Sequence, residues 1–332
     1  MKKARRMMLI FLAGALIIAT AVTAAVKPVK SAKRVTIAMT YIPNVQFAPW
    51  YVAEEKGFFR AAGLAVQFDY RMDIDALPLV AGGQIDFAIA GGDQVITARA
   101  QNIPVVYLAA LYAKFPPAVV ALEDAGIRTV RDLKGKKIGL PLYGTNLLAI
   151  QAILNKAGLK ESDVELVDVG YTQIVSLEKR KVDAVVVFAN NEPLQLVQDG
   201  YRITALHAWD YFPLVGHGLI TGAQQVAKSP GLVKQMVKAT VAGMNYTLKH
   251  PDEAFAICLK YLPEMGKEQQ ALAKKVFQAS LGLWQNEYTR QAGLGVSDPQ
   301  AWNEAQQFML DHDLIKKATP VAEMLNTGFI SK

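Results

Sequence analysis

Between residues 34 and 190 the apolar and polar positions follow one rhythm, and the rhythm occurs twice. An apolar, β-branched stretch at 34–43 (RVTIAMTYIP) leads into helical spacing at 47–56 (FAPWYVAEEK). A second such stretch at 63–70 (GLAVQFDY) is followed by a short helix over 75–82 and a third strand within 82–92 (GGQIDFAIAGG). The order then repeats: a strand in 136–144 (KKIGLPLYG), a helix over 144–157, a strand in 163–171 (DVELVDVGY), a helix over 172–179, and a strand in 179–191 (KRKVDAVVVFANN). Alternating strands and helices of these lengths build parallel sheets through right-handed crossovers. The strands are short and almost wholly apolar, as when both sheet faces are covered. Gly57 and Gly158 fall just past predicted helix ends, where a left-handed residue closes a helix.

The pattern therefore predicts two similar α/β lobes. The apolar stretches 105–112 (VVYLAALY), 117–127 (PAVVALEDAGI) and 216–222 (GHGLITG) run out of one lobe and back, the requirement for a two-strand hinge. The boundaries expected are 33–120 plus 218–332 for the first lobe and 121–217 for the second. Residues 229–332 are mostly helical, with Ser229 and Pro230 reading as an N-cap and first helical residue. With no strand set of its own, this tail is expected to pack on the first lobe.

Composition narrows the function. The 332-residue chain is 52% hydrophobic and 20% charged, too apolar for a mainly disordered protein. Its single cysteine, Cys258, excludes an intramolecular disulfide and a multi-cysteine metal site. Its four histidines lack metal-ligand spacing, so no metal and no cofactor are expected. The net charge of +7 owes four positives to Lys2, Lys3, Arg5 and Arg6, and about +3 remains beyond residue 25. That is no nucleic-acid footprint. The basic start, the apolar run 7–25 and its small-residue end read as an export signal over 1–25, with an uncleaved anchor as the alternative.

In open α/β sheets ligands bind beyond the carboxyl ends of the strands, near helix N-termini. Those loops hold Asn44, Gln46, Phe47 and Tyr51 in the first lobe, with Asp93 after its third strand. The second lobe supplies Tyr143, Gly144, Thr145 and Asn146, then Asn190 and Glu192. Aromatic faces and amides suit a flat, neutral, hydrogen-bonding ring. No Lys or Arg lies in these loops, which argues against a multiply charged ligand. Each residue also has a structural reading: Asn44 as a turn residue, Tyr51 as core, Asp93, Thr145 and Asn146 as helix caps, Glu192 as a first-turn acid beside a helix dipole. No G-x-S-x-G elbow, P-loop, H-E-x-x-H or dinucleotide fingerprint is present.

The segments YIPNVQFAPWYVAEEKGFF, GGQIDFAIAGGDQVITARAQNIPVV, DLKGKKIGLPLYGTN and VDAVVVFANNEPLQL carry a family likeness. They resemble periplasmic substrate-binding proteins of ABC importers, in the branch that includes thiamine-pyrimidine synthase and alkanesulfonate-binding proteins. The phrases IPN-x-Q-F-A-P-x-Y-V-A and F-A-N-N-E-P look closest to members that bind thiamine-pyrimidine precursors or riboflavin. The resemblance implies a two-lobed, type II-like Venus flytrap fold, closure on a ligand, and docking of a monomer on a membrane permease. It matches Asn44 and Tyr51 to the first-lobe ligand loop, 143–146 to the second-lobe loop, and Glu192 to a carboxylate for an aminopyrimidine edge. The synthase of this branch uses a cysteine-rich CCCFC segment, absent here, so a binding protein is expected rather than an enzyme. An alkanesulfonate or other small anion is the alternative ligand.

Overall fold

A computed structural model describes residues 32–72 and 74–330; the expected export segment, 1–25, lies outside the described residues. Ten strands follow in chain order. The first five are β1 (Lys33–Ala38), β2 (Leu64–Asp69), β3 (Phe87–Gly91), β4 (Val105–Ala110) and β5 (Pro117–Leu122). The others are β6 (Lys137–Leu140), β7 (Glu165–Asp168), β8 (Ala184–Phe188), β9 (Ile203–His207) and β10 (His217–Gly222). They form two five-stranded sheets, β2-β1-β3-β10-β4 and β7-β6-β8-β5-β9. Each repeat supplies the same parallel trio. Lys33 pairs with Leu64 through to Ala38 with Asp69, and Lys137 pairs with Glu165 through to Leu140 with Asp168.

The alternation predicts wholly parallel lobes, yet each sheet contains one reversed strand. β10 runs antiparallel to β3 and β4, and β5 antiparallel to β8 and β9. The reason is connectivity. The chain leaves β4 at its carboxyl end, crosses through 111–116 and enters the second sheet there, so β5 must run away from the cleft toward which its neighbours run. The return through 208–216 imposes the same reversal on β10. The crossing at 111–116 lies ahead of position 120, so all of β5 belongs to the second sheet.

The two crossovers lie against each other. The amides of Leu111 and Tyr112 both donate to the His217 carbonyl at 2.9 Å. A Cβ on Gly216 would stand 2.4 Å from the Tyr112 carbonyl oxygen and 2.6 Å from that of Lys114. Only glycine lets the backbones approach so closely. Gly216→Ala is therefore expected to cost about 1–3 kcal/mol, the usual penalty for overpacking, read as a shift in the urea midpoint. A change below about 0.5 kcal/mol would mean the crossovers separate freely.

β3, β4 and β5 are buried along their whole length, because helices or the other lobe cover both faces. The helix Ala48–Glu55 buries every residue from Ala48 to Ala53, pressed between its sheet and the tail helix Pro230–Lys249. Gly57 and Gly158 both take φ of +73° after their helices. The tail packs on the first sheet and also reaches the second lobe. The helix Lys267–Leu281 contacts the helix Glu192–Gln198, and Asn155 Nδ2 donates to the His312 carbonyl at 3.2 Å. Among the described residues no helix is long and apolar enough to cross a membrane.

Candidate functional site

A cavity of about 700 Å³ opens where the carboxyl ends of the parallel strands of both sheets meet. From the first lobe, the 3-10 turn Val45–Phe47 brings Gln46 and Phe47 into its wall. From the second, Tyr143, Gly144, Thr145 and Asn146 line it as they open the helix Gly144–Lys156, and Glu192 lines it at the start of Glu192–Gln198. Seven of the sequence-derived candidates thus share one cavity.

Four do not line it, each for a structural reason. Asn44 caps the 3-10 turn, its Oδ1 accepting from the Gln46 amide at 3.0 Å. It shapes the loop from behind. Tyr51 is fully buried, stacked on Tyr261 with centroids 4.0 Å apart and accepting from the Tyr70 hydroxyl. Its helix has no face free for the cleft. Asp93 is fully buried beneath the cavity, with Oδ1 accepting from Thr145 Oγ1 at 3.3 Å. Burial pushes its carboxyl up to about 7. Asn190 lies behind the lining, its amide turned into the first lobe.

Sequence reasoning passed over several lining residues. Tyr171 follows β7, Phe188 ends β8 and Tyr112 follows β4, so the strand-end rule applied to every strand would have found them. His217 escapes that rule because β10 is reversed and begins at the cleft. Tyr41 of the first lobe and Tyr171 of the second meet across the opening at 5.7 Å, and Tyr143 lies edge-on to Tyr171 at 6.4 Å. Tyr143 and Tyr171 remain exposed.

Among the described lining residues there is no Lys or Arg, and the acids are Asp75 and Glu192. Glu192 accepts from the Phe188 amide at 3.1 Å and from Asn191 Nδ2 at 3.0 Å. Burial raises its pKa, and those hydrogen bonds oppose the rise. His217 packs edge-on to Phe188 at 5.1 Å, and burial pulls its pKa down to about 4, so it is neutral at pH 7. Among the described residues the cavity offers aromatic surface, amides and two carboxylates, Asp75 at its exposed edge and Glu192 deeper in, with no cation to balance an anion.

The family model described as NMT1/THI5 like matches residues 44–254, a span that takes in all the lining candidates. The chain belongs to the NMT1/THI5-like family. Among relatives of this NMT1/THI5-like protein, riboflavin-binding protein RibY of Chloroflexus aurantiacus is 37% identical over 302 residues, covering 90% of this chain and 86% of that protein. The formylaminopyrimidine-binding protein of Halalkalibacterium halodurans is 26% identical, covering 85% and 86%. More distant relatives are named 4-amino-5-hydroxymethyl-2-methylpyrimidine phosphate synthase. The alkanesulfonate-binding protein SsuA of Xanthomonas axonopodis superposes with a TM-score of 0.68 at 16% identity, over 88% of this chain and 98% of that one. The NMT1/THI5-like chain has the two-lobed periplasmic-binding-protein fold.

Proposed function

We propose that this NMT1/THI5-like protein is an extracytoplasmic solute receptor, exported by residues 1–25. As a monomer it binds a flat, uncharged heteroaromatic compound, riboflavin foremost, and delivers it to an ABC permease. The observation that carries the reading is the lining itself: aromatic rings from both lobes, amides, the partly buried Glu192 carboxylate and no described cation. The likeness to RibY supports the flavin. A ring entering the opening meets Tyr41 from one lobe and Tyr143 and Tyr171 from the other. Lobe closure then buries both faces of the ring, and the polar residues deeper in the cleft read its edge.

A second ligand, a thiamine aminopyrimidine, is favoured by Glu192, whose carboxylate suits an exocyclic amine. An alkanesulfonate fits poorly. Its fixed charge would enter a cavity with no cationic partner among the described residues, at a cost of several kcal/mol. The synthase reading is also weak, because Cys258 is buried in the helix Pro251–Lys260 and burial pushes its thiol up to about 12.

The test is a fluorescence titration of residues 26–332 with riboflavin, its 5′-phosphate, the hydroxymethyl aminopyrimidine and an alkanesulfonate. Riboflavin is expected to be quenched on saturable binding at about micromolar Kd or tighter. The phosphate ester is expected to bind at least about 100-fold more weakly, because no described lining residue is a cation for its charge. Tight sulfonate binding with no response to either ring compound would reject this reading.

A further inference from the structure

One hydrogen-bonded chain connects the tail to the cavity wall, and its polarity is set at the far end. Ser280, buried in the helix Lys267–Leu281, gives its single hydroxyl hydrogen to the Val276 carbonyl at 2.7 Å. Its oxygen can then only accept, and it accepts from Asn190 Nδ2 at 2.8 Å. With the hydroxyl so directed, the NH2 end of the Asn190 amide faces the first lobe, and its Oδ1 is buried without a hydrogen-bond partner among the described residues. The same Nδ2 donates to Gln46 Oε1 at 2.8 Å and approaches the Tyr112 hydroxyl at 3.3 Å. Tyr112 in turn donates its hydroxyl hydrogen to Gln46 Oε1 at 2.9 Å. The Gln46 oxygen is therefore taken twice. Its Nε2 keeps both hydrogens uncommitted among the described residues, in a side chain that lines the cavity.

We infer that Gln46 is a specificity-determining donor for a carbonyl-type acceptor on the ligand ring, and that Asn190 and Ser280 are positioning residues that forbid the opposite amide orientation. The inference rests on the heteroaromatic reading of the site. It assigns Asn190, which does not line the cavity, a role in recognition exerted through Gln46. It also divides the edge-reading work: Gln46 donates where the ring has an acceptor, and Glu192 accepts where the ring has an N–H. A ring edge that alternates carbonyl and N–H, as in a pyrimidinedione, satisfies both.

The experiment measures Kd for riboflavin, 2-thioriboflavin and 4-thioriboflavin, since a thiocarbonyl is a much poorer acceptor in the same place. The wild type is expected to bind at least one thio compound about tenfold more weakly than riboflavin, the worth of one well-placed hydrogen bond. Gln46→Glu keeps an oxygen for Asn190 and Tyr112 but has no amide hydrogens, so it is expected to bind all three flavins alike. Ser280→Ala, remote from the ligand, is expected to compress the preference to about threefold by releasing the Asn190 amide. A merely structural role for Ser280 would weaken all three equally and leave the ratio intact. A full preference in both variants overturns the inference and leaves the flavin reading standing. Failure of the wild type to bind riboflavin overturns both.

Discussion

Replacing Asp93 by asparagine is expected to turn a nearly level pH–stability profile into one that climbs by about 2 kcal/mol between pH 4.5 and 6.5. The sign follows from two groups whose pKa values burial shifts in opposing directions. Asp93 has no exposure, and burial holds its folded pKa at about 7, against about 3.9 in an unfolded chain. The folded state keeps a proton that the unfolded state has lost, so this group's stabilisation is complete below pH 4 and drains away as pH rises to 7. His217 does the reverse. Burial lowers its folded pKa to about 4 from about 6.5, so unfolded chains bind the extra proton and stability grows with pH across that window. At about 1.4 kcal/mol per pH unit the full effects are of order 4 and 3 kcal/mol, large and nearly cancelling. Glu192, raised by burial, adds to the first, and His207, lowered by burial, adds to the second. Asp93→Asn removes the falling component and leaves the rising one. His217→Asn is expected to give the mirror image, a profile that declines over the same range. Urea midpoints at pH 4.5, 5.5 and 6.5 read both, with m checked for constancy. If the Asp93→Asn profile ran parallel to the wild type, the carboxyl would not be holding its proton.

The repeated strand–helix order was legible in the sequence because it depends on local pattern alone. Burial on both faces demands apolar strands, and Gly57 and Gly158 mark helix ends by a conformation other residues resist. The reversed strands β5 and β10 were not legible, since strand direction depends on which lobe the chain has just left, a matter of path rather than composition. The same limit explains the site. The strand-end rule located the cleft and seven lining residues, because position along a strand is a local property. It could not tell which loop residues face inward. Tyr51 and Asn190 have the chemistry of ligand contacts, but the tail covers the first and the Ser280 hydroxyl claims the second. Both partners come from more than 80 residues away, where no spacing rule applies.

Glu192→Gln is expected to weaken binding of the hydroxymethyl aminopyrimidine by about 1.5–3 kcal/mol, roughly 10- to 150-fold, and riboflavin by less. In the wild type the carboxylate is fixed by the Phe188 amide on one oxygen and Asn191 Nδ2 on the other. Its remaining lone pairs are a charged acceptor in the second-lobe wall of the cavity. An exocyclic amine donating to an ionised carboxylate makes a charge-assisted bond, about twice as strong as a neutral one. Glutamine retains one oxygen and no charge, so it loses that advantage and must also turn an NH2 toward one of the two donors. A flavin ring offers a single N–H at this edge, so it has less to lose. Burial already raises the Glu192 pKa, so lowering the pH mimics the substitution: wild-type affinity for the aminopyrimidine is expected to fall as the carboxylate takes up its proton, while Glu192→Gln stays level. Titrating both ligands against both proteins at two pH values separates the readings. A larger loss for the pyrimidine identifies Glu192 as an amine acceptor, and a similar loss for both ligands assigns it to ring N–H recognition. Unchanged affinity for both would remove it from the site, and the carboxylate would then serve only to tie the end of β8 to the helix that follows.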